Sequence, residues 1–117
     1  MPKVLVVEDR DGCFTMIKSK LKLNGPIEVL RAVTLKEAAD FFQSNPDIDL
    51  IIIDACVQSE FPNTMPLVKK IITSGYIKPI IACSSVLFYR EELINAGATH
   101  QANKFDAAEM ALKLLGL

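Results

Sequence analysis

Residues that bind metals or form disulfides are scarce in this sequence. It has three cysteines and one histidine, with no zinc-type spacing among them. An odd number of scattered cysteines favours reduced thiols in a cytoplasm over a disulfide framework. The formal net charge is −1, from 13 basic and 14 acidic residues. We therefore expect no basic surface of the kind that binds DNA or RNA.

Long hydrophobic runs are also absent. Aliphatic runs such as Leu50–Ile53 are far too short to cross a membrane. The first residues reach Glu8 and Asp9 at once and lack the apolar centre of a signal peptide. We therefore expect a cytoplasmic protein with no membrane partner. A length of 117 residues predicts one domain, spanning residues 1–117, that can bury a hydrophobic core without disulfides or a structural metal.

Short apolar segments alternate with helical patterns along the chain. Several of these segments are rich in valine and isoleucine without polar alternation, which is typical of parallel strands covered on both faces. The predicted strands are Lys3–Val7, Ile27–Ala32, Leu50–Ile53, Pro79–Ala82 and a weaker fifth at His100–Ala102.

The segments between the strands carry apolar residues at helical spacing and signals for helix ends. Thr34 and Glu37 predict a capping box before the second helix, and Asp106 with Glu109 predicts another before the last. A fourth helix is expected within Leu87–Ala96. Glycine stands where three of the helices should stop, at Gly25, Gly75 and Gly97.

Five strand–helix units in this order predict an α/β fold. The expected architecture is a flavodoxin-like (βα)5 three-layer sandwich, with a five-stranded parallel sheet in the order 2-1-3-4-5. In such folds, binding sites form beyond the carboxyl ends of the strands.

Polar residues stand at four of these strand ends. Glu8 and Asp9 follow the first strand, Asp54 the third and Ser84 the fourth, and the fifth leads to Lys104. Three carboxylates in one cleft need a cation, and hard oxygen ligands suit Mg²⁺. A carboxylate can act as the nucleophile that forms an aspartyl phosphate, with a lysine and a hydroxyl to receive the phosphoryl oxygens. No base for a second step is evident, so the site should hold a phosphoryl group rather than turn over quickly.

Four sequence blocks in the right order carry a resemblance to a known family. The segments VLVVED, DLIIIDAC, PIIACSS and GATHQANK resemble those of receiver domains in two-component response regulators, which are CheY-like proteins. The resemblance covers essentially the whole chain, which looks like a divergent member. It implies phosphorelay signal transduction by a phosphoprotein that is not an enzyme beyond its own phosphorylation and slow dephosphorylation.

The resemblance also implies a role for each site residue. Asp54 would be the phosphoacceptor, Ser84 would bond the phosphoryl group and swing toward it on activation, and Lys104 would pair with its oxygens. The Mg²⁺ ligands would be Glu8, Asp9, Asp54 and the backbone carbonyl of Cys56.

Four positions depart from the family pattern. In the loop of residues 55–64, Gln58 and Pro62 stand where a proline and a glycine are usual. Phe105 follows the lysine in place of a cis-proline, and a trans bond is expected because a cis bond before a non-proline costs roughly 3–4 kcal/mol. Gln101 replaces the usual switch aromatic of the fifth strand. The aromatic residues that could substitute for it are Phe88, Tyr89 and Phe105.

These departures leave an alternative function open. A degenerate receiver could act as a phosphorylation-independent interaction or dimerisation module. The partners implied are a histidine kinase or phosphotransfer protein and an output protein, with a homodimer as a further option. Whether the receiver stands alone or is part of a longer chain is left open.

Two other functions fit the sequence poorly. A phosphatase of the haloacid-dehalogenase kind needs a second aspartate two residues after the nucleophile, and Cys56 is there instead. A flavodoxin-type flavin carrier must cradle a phosphate in its first loop, where Glu8 and Asp9 would repel it.

Overall fold

Strands and helices alternate along the whole chain in a computed structural model that describes residues 1–117. The strands are β1 (Lys3–Val7), β2 (Glu28–Ala32), β3 (Leu50–Asp54), β4 (Ile80–Cys83) and β5 (His100–Ala102). The helices are α1 (Asp11–Lys22), α2 (Leu35–Ser44), α3 (Met65–Thr73), α4 (Leu87–Ala96) and α5 (Ala107–Leu114).

The strands form one parallel sheet in the order β2-β1-β3-β4-β5, which confirms the predicted topology. Val7 of β1 pairs with Ala32 of β2 and with Ile53 of β3, and Asp54 pairs with Cys83 of β4. The residues that follow these pairs therefore meet at one edge of the sheet, since the strands all end there.

Alternate side chains of the central strands enter two separate cores. Leu5 and Ile51 pack beneath α2, α3 and α4, whereas Val6 and Ile52 pack beneath α1 and α5. Both sides of these strands are buried, because helices cover both faces of the sheet. This explains why the strands read as continuous apolar runs.

Local signals for the helix ends were right in some places and wrong in one. The Thr34 hydroxyl accepts a hydrogen bond from Glu37 N at 3.0 Å, as a capping box requires, while Glu37 Oε1 accepts from Val33 N at 2.9 Å, one residue before the cap. The capping box predicted at Asp106 and Glu109 was wrong. Asp106 has a helical backbone, with φ −102° and ψ −11°, rather than the extended one that a capping side chain needs. Asn103 Oδ1 instead accepts hydrogen bonds from Phe105 N and Asp106 N, each at 2.9 Å.

None of the helices is both long enough and apolar enough to span a membrane.

Candidate functional site

Three carboxylates meet where β1 and β3 end. Glu8 and Asp54 are buried, with 2% and 7% of their surfaces exposed, and Asp9 is partly buried. One carboxylate oxygen from each lies within 4.8 Å of the others. The cluster follows from the register, because Val7 pairs with Ile53 and the next residues of both strands are acidic.

Lys104 reaches this cluster from the loop after β5. Its Nζ lies 2.8 Å from Glu8 Oε1, 3.0 Å from Glu8 Oε2 and 2.9 Å from Asp54 Oδ2. Burial alone would lower the pKa of Lys104, but its bonds to Glu8 and Asp54 outweigh burial, and the pKa is raised. Lys104 is therefore a permanent cation in contact with two of the three carboxylates.

One lysine does not neutralise three carboxylates, and the surroundings of Glu8 and Asp9 agree with an uncompensated negative charge. Burial, together with the neighbouring Asp54, raises the pKa of Glu8 to about 7 despite the bond to Lys104. Asp9 Oδ1 is buried and has no hydrogen-bond partner. The unpaired oxygen of Asp9 lies beside the carboxylates of Glu8 and Asp54. Such a set of oxygen ligands fits a hard divalent cation such as Mg²⁺.

An arginine that the sequence did not single out holds the acidic loop in place. Arg31 of β2 donates from Nε to the backbone carbonyl of Glu8 at 3.2 Å and from Nη2 to that of Asp9 at 3.4 Å. The same Nη2 lies 2.8 Å from Asp11 Oδ1, and the guanidinium carbon lies 4.6 Å from the Phe14 ring centroid. Arg31 thus restrains both acidic residues through their backbone rather than through their charge.

The loop between β3 and α3 also folds onto the acidic residues. Gln58 N donates to Asp9 Oδ2 at 3.0 Å, and Gln58 has a positive φ of 54°. A proline could take neither role, because it has no N–H and its ring holds φ near −65°. At the far end of the loop, the buried Thr64 hydroxyl lies 2.9 Å from Asp54 O and 3.1 Å from Ala55 O, so the loop closes behind the phosphoacceptor candidate. The departure from the family pattern at position 58 therefore has a physical reason.

Ser84 is buried directly after β4, next to the acidic cluster. Its Oγ accepts a hydrogen bond from Val86 N at 3.1 Å, and Val86 is the N-cap residue of α4. Arg90 of α4 donates from Nη1 to Ser84 O at 2.8 Å and from Nε to Gln101 Oε1 at 3.1 Å. Gln101 therefore contacts the hydroxyl residue indirectly, through an arginine.

The loop that carries Lys104 is rebuilt without a proline. The Lys104–Phe105 bond is trans, as expected. Phe105 N donates to Asn103 Oδ1 at 2.9 Å, which a proline could not do. Lys20 of α1 donates to Phe105 O at 2.8 Å. These two contacts hold the backbone on both sides of the Lys104 side chain.

Cys56 lies two residues beyond Asp54, and its N–H donates to Asp54 Oδ1 at 3.4 Å. Burial, then the negative charge of Asp54, raises the pKa of its thiol. The thiol is therefore held in its neutral form and is a poor substitute for a second acidic residue.

Similar folds occur in solved structures, many of which are receiver domains of response regulators. The receiver domain of the Francisella response regulator 1452 is 26% identical, with a TM-score of 0.79 and coverage of 98% of this chain and 94% of that one. The chemotaxis response regulator CheY4 of Vibrio cholerae is 24% identical, with a TM-score of 0.77 and coverage of 97% and 98%. A response regulator from Thermotoga maritima is 21% identical, with a TM-score of 0.80 and coverage of 100% and 99%.

This chain has the fold of a response-regulator receiver domain. No protein-family model matches its sequence, and neither does any curated protein. The receiver fold is thus recognised from the arrangement of strands and helices while the sequence has diverged.

Within this receiver fold, the structure brings together Glu8, Asp9, Asp54 and Lys104, with Ser84 beside them. Sequence reasoning missed the residues that hold them: Lys20, Arg31, Thr64, Arg90 and Asn103. One of these had a readable signal, because an arginine in the apolar strand of residues 28–32 is unusual and has to find a polar partner. The others are ordinary polar residues of helices and loops, whose partners depend on the folded structure.

Proposed function

We propose that the chain, residues 1–117, is a signalling receiver that accepts a phosphoryl group on Asp54. The observation that carries the proposal is the position of Lys104, which lies 2.9 Å from Asp54 and 2.8 Å from Glu8 in a cluster with one orphaned carboxylate oxygen. A lysine shared by two carboxylates is placed to receive a third anion, the incoming phosphoryl group, at Asp54.

The chemistry assigns one step to each residue. A carboxylate oxygen of Asp54 attacks phosphorus, a P–O bond forms, and the bond from phosphorus to the donor's leaving atom breaks. Lys104 exchanges part of its contact with Asp54 for a phosphoryl oxygen, which compensates the added negative charge. The Ser84 hydroxyl oxygen accepts from Val86 N in the present structure, and the hydroxyl has one hydrogen to donate to the phosphoryl group.

The residues that would hold Mg²⁺ are Glu8, Asp9, Asp54 and the backbone carbonyl of Cys56. When bound, the ion neutralises charge on the phosphoryl oxygens during transfer. Asp9 is prepared for this role because Arg31 and Gln58 hold its backbone and one oxygen, which leaves the other oxygen free.

The phosphodonor partner that we propose is a histidine kinase or phosphotransfer protein of the cytoplasm. Such a partner has to approach the edge where the strands end, because Asp54 is only 7% exposed. Three aromatic side chains at this edge are largely exposed: Phe61 and Phe105 in the loops after β3 and β5, at 70% and 68%, and Phe88 in the first turn of α4, at 63%. They offer an apolar contact surface around an acidic centre. Three free thiols agree with a reducing compartment.

Intact mass spectrometry tests this function directly. The protein is incubated with Mg²⁺ and acetyl phosphate beside Asp54→Asn, and the expected result is one labile phosphoryl adduct on the unmodified sequence only. Lys104→Met should reduce adduct formation strongly. A folded protein that forms no adduct and whose melting temperature does not respond to Mg²⁺ would overturn the proposal.

The second candidate function is a phosphorylation-independent interaction module. It is favoured by Gln101, whose side chain bonds Arg90 where an aromatic switch residue is usual. Mg²⁺ binding separates the two candidates, because a degenerate site has no reason to keep it. Hydrolysis of small phosphate esters should be absent in either case, since Cys56 cannot act as the acid and base of that reaction.

A further inference from the structure

Ser84 is held from two directions. Its hydroxyl oxygen accepts from Val86 N at 3.1 Å, and its backbone carbonyl accepts from Arg90 Nη1 at 2.8 Å. Its own N–H donates to Ala102 O at 3.3 Å. The backbone and the hydroxyl oxygen of Ser84 are therefore held by β5, by Arg90 and by the start of α4, which lie on the side of the sheet away from Glu8 and Asp9.

Arg90 is bound at two nitrogens of one rigid plane. While Nη1 bonds Ser84, Nε bonds Gln101 Oε1 at 3.1 Å. A guanidinium that is fixed at two nitrogens loses rotation about its last bonds, so Gln101 determines where Nη1 points. Both acceptors are uncharged oxygens, and no carboxylate competes for Arg90 as an ion-pair partner.

We propose that Arg90 and Gln101 are positioning residues for Ser84 in the phosphoacceptor site. Gln101 orients Arg90, Arg90 holds the Ser84 carbonyl, and the Ser84 hydroxyl is thereby aimed at a phosphoryl group on Asp54. The inference rests on the function proposed above and adds to it two residues that do not touch the acidic cluster.

The same contacts couple the site to an exposed surface. Val86 N, at the start of α4, donates to the Ser84 hydroxyl oxygen, and Val86, Leu87 and Phe88 are 41%, 53% and 63% exposed. A shift of Ser84 toward a phosphoryl group changes its contacts with both Val86 and Arg90, and therefore reaches α4 and β5 together. The polar contact Arg90–Gln101 supplies a route that needs no aromatic side chain in β5.

A matched pair of substitutions tests this inference. Gln101→Met removes the acceptor of Arg90 at similar volume, whereas Gln101→Glu keeps an oxygen at the same place. The rate constant for adduct formation is measured by mass spectrometry with Mg²⁺ and acetyl phosphate. The Arg90 Nε–H signal and the Ser84 amide signal are followed by NMR before and after phosphorylation. Glu91→Gln, on the exposed side of α4, serves as the control.

The expected result is a loss of roughly tenfold in the rate constant for Gln101→Met, the size expected for one hydrogen bond to a charged group. Gln101→Glu should keep most of the rate constant of the unmodified protein, and Glu91→Gln should react as the unmodified protein does. The Arg90 Nε–H signal should move in Gln101→Met even without phosphorylation, together with the Ser84 amide.

Each contrary result has a distinct meaning. An unmodified protein that forms the adduct, beside a Gln101→Met variant that reacts equally fast with an unmoved Ser84 amide, would overturn the positioning role and leave the proposed function intact. Equal losses in Gln101→Met and Gln101→Glu would also overturn it, because the acceptor oxygen would then not matter. Failure of the unmodified protein to form any adduct would overturn both.

If Gln101→Met does not fold, Arg90→Lys serves instead. It cannot bond Ser84 and Gln101 through one plane, and an unmodified rate in that variant overturns the inference.

Discussion

The two sides of the candidate site are each held by an arginine, but in different ways. Arg31, on the side of β1 and β2, bonds the carbonyls of Glu8 and Asp9, pairs with Asp11 and stacks on the Phe14 ring. Arg90, on the side of β4 and β5, bonds only a backbone carbonyl and an amide oxygen. The first arginine therefore has more partners, and one of them is charged.

This difference separates a fixed part of the site from an adjustable one. The proposed metal ligands would need constant geometry, since Mg²⁺ demands near-ideal coordination, and the contacts of Arg31 favour it. A switching residue needs contacts that can be exchanged at small cost. Arg90 makes two hydrogen bonds to neutral oxygens and stacks on no aromatic ring, so the side with Arg90 has fewer contacts to exchange and suits that role.

The largest expected effect is on the fixed side. Arg31→Met removes the donors to two backbone carbonyls and should lower the free energy of unfolding by about 3 kcal/mol. Arg90→Met should cost about half as much, because its acceptors are fewer and uncharged. Urea denaturation of the two variants measures both values. Equal losses would remove the distinction between the two sides.

Mg²⁺ sharpens the same comparison. Arg31→Met should weaken Mg²⁺ binding roughly tenfold, since Glu8 and Asp9 lose their backbone restraint. Arg90→Met should leave it unchanged, because that arginine does not touch the acidic loop. Isothermal titration calorimetry with Mg²⁺ gives the dissociation constants, and weaker binding in both variants would contradict the assignment.

A smaller effect is expected in the loop that covers Asp9. Gln58→Pro should lower the free energy of unfolding by about 2 kcal/mol, because proline cannot adopt a φ of 54° or donate to Asp9. Gln58→Gly keeps the N–H and tolerates the positive φ, so it should be neutral or slightly stabilising. Thermal unfolding measures the stabilities of Gln58→Pro and Gln58→Gly. A Gln58→Pro protein as stable as the unmodified one would mean that the loop has a different conformation.

A still smaller effect is expected at the Lys104 loop. Lys20→Met removes one partly exposed hydrogen bond to Phe105 O and should cost about 0.5 kcal/mol of unfolding free energy. Adduct formation should nevertheless slow by a few-fold, because Lys104 becomes less well placed. Lys20→Arg should restore the rate, and a Lys20→Met variant that reacts as fast as the unmodified protein would show that Asn103 alone holds the loop.

The smallest effect is expected at Lys36, which pairs with Asp40 on the surface of α2 at 2.9 Å. Lys36→Met should change neither Mg²⁺ binding nor adduct formation, because the pair is exposed and Lys36 bonds none of the residues of the site. Any clear change in either measurement would show that surface charge, rather than local contacts, governs the site.

Most of the fold could be predicted from the sequence. The first and fifth strands lie where they were expected, and α4 occupies Leu87–Ala96 as predicted. Apolar runs and helical spacing are local patterns that the sequence shows directly. Once they predict alternating strands and helices, right-handed crossovers leave few possible strand orders. The side-chain cap predicted at Asp106 was the exception: Asp106 does precede α5, but its side chain makes no capping bond, and Asn103 Oδ1 accepts from Phe105 N and Asp106 N instead.

The sequence by itself determined which residues stand at the strand ends, and so brought Glu8, Asp9, Asp54 and Lys104 to one edge. The reason is geometric, since parallel strands all end on the same side. Only the tertiary structure decided how these residues are held. The contacts of Arg31 with Glu8 and of Lys20 with Phe105 join residues 23 and 85 positions apart. Such pairings depend on the direction of each side chain in the folded core, which no local pattern encodes.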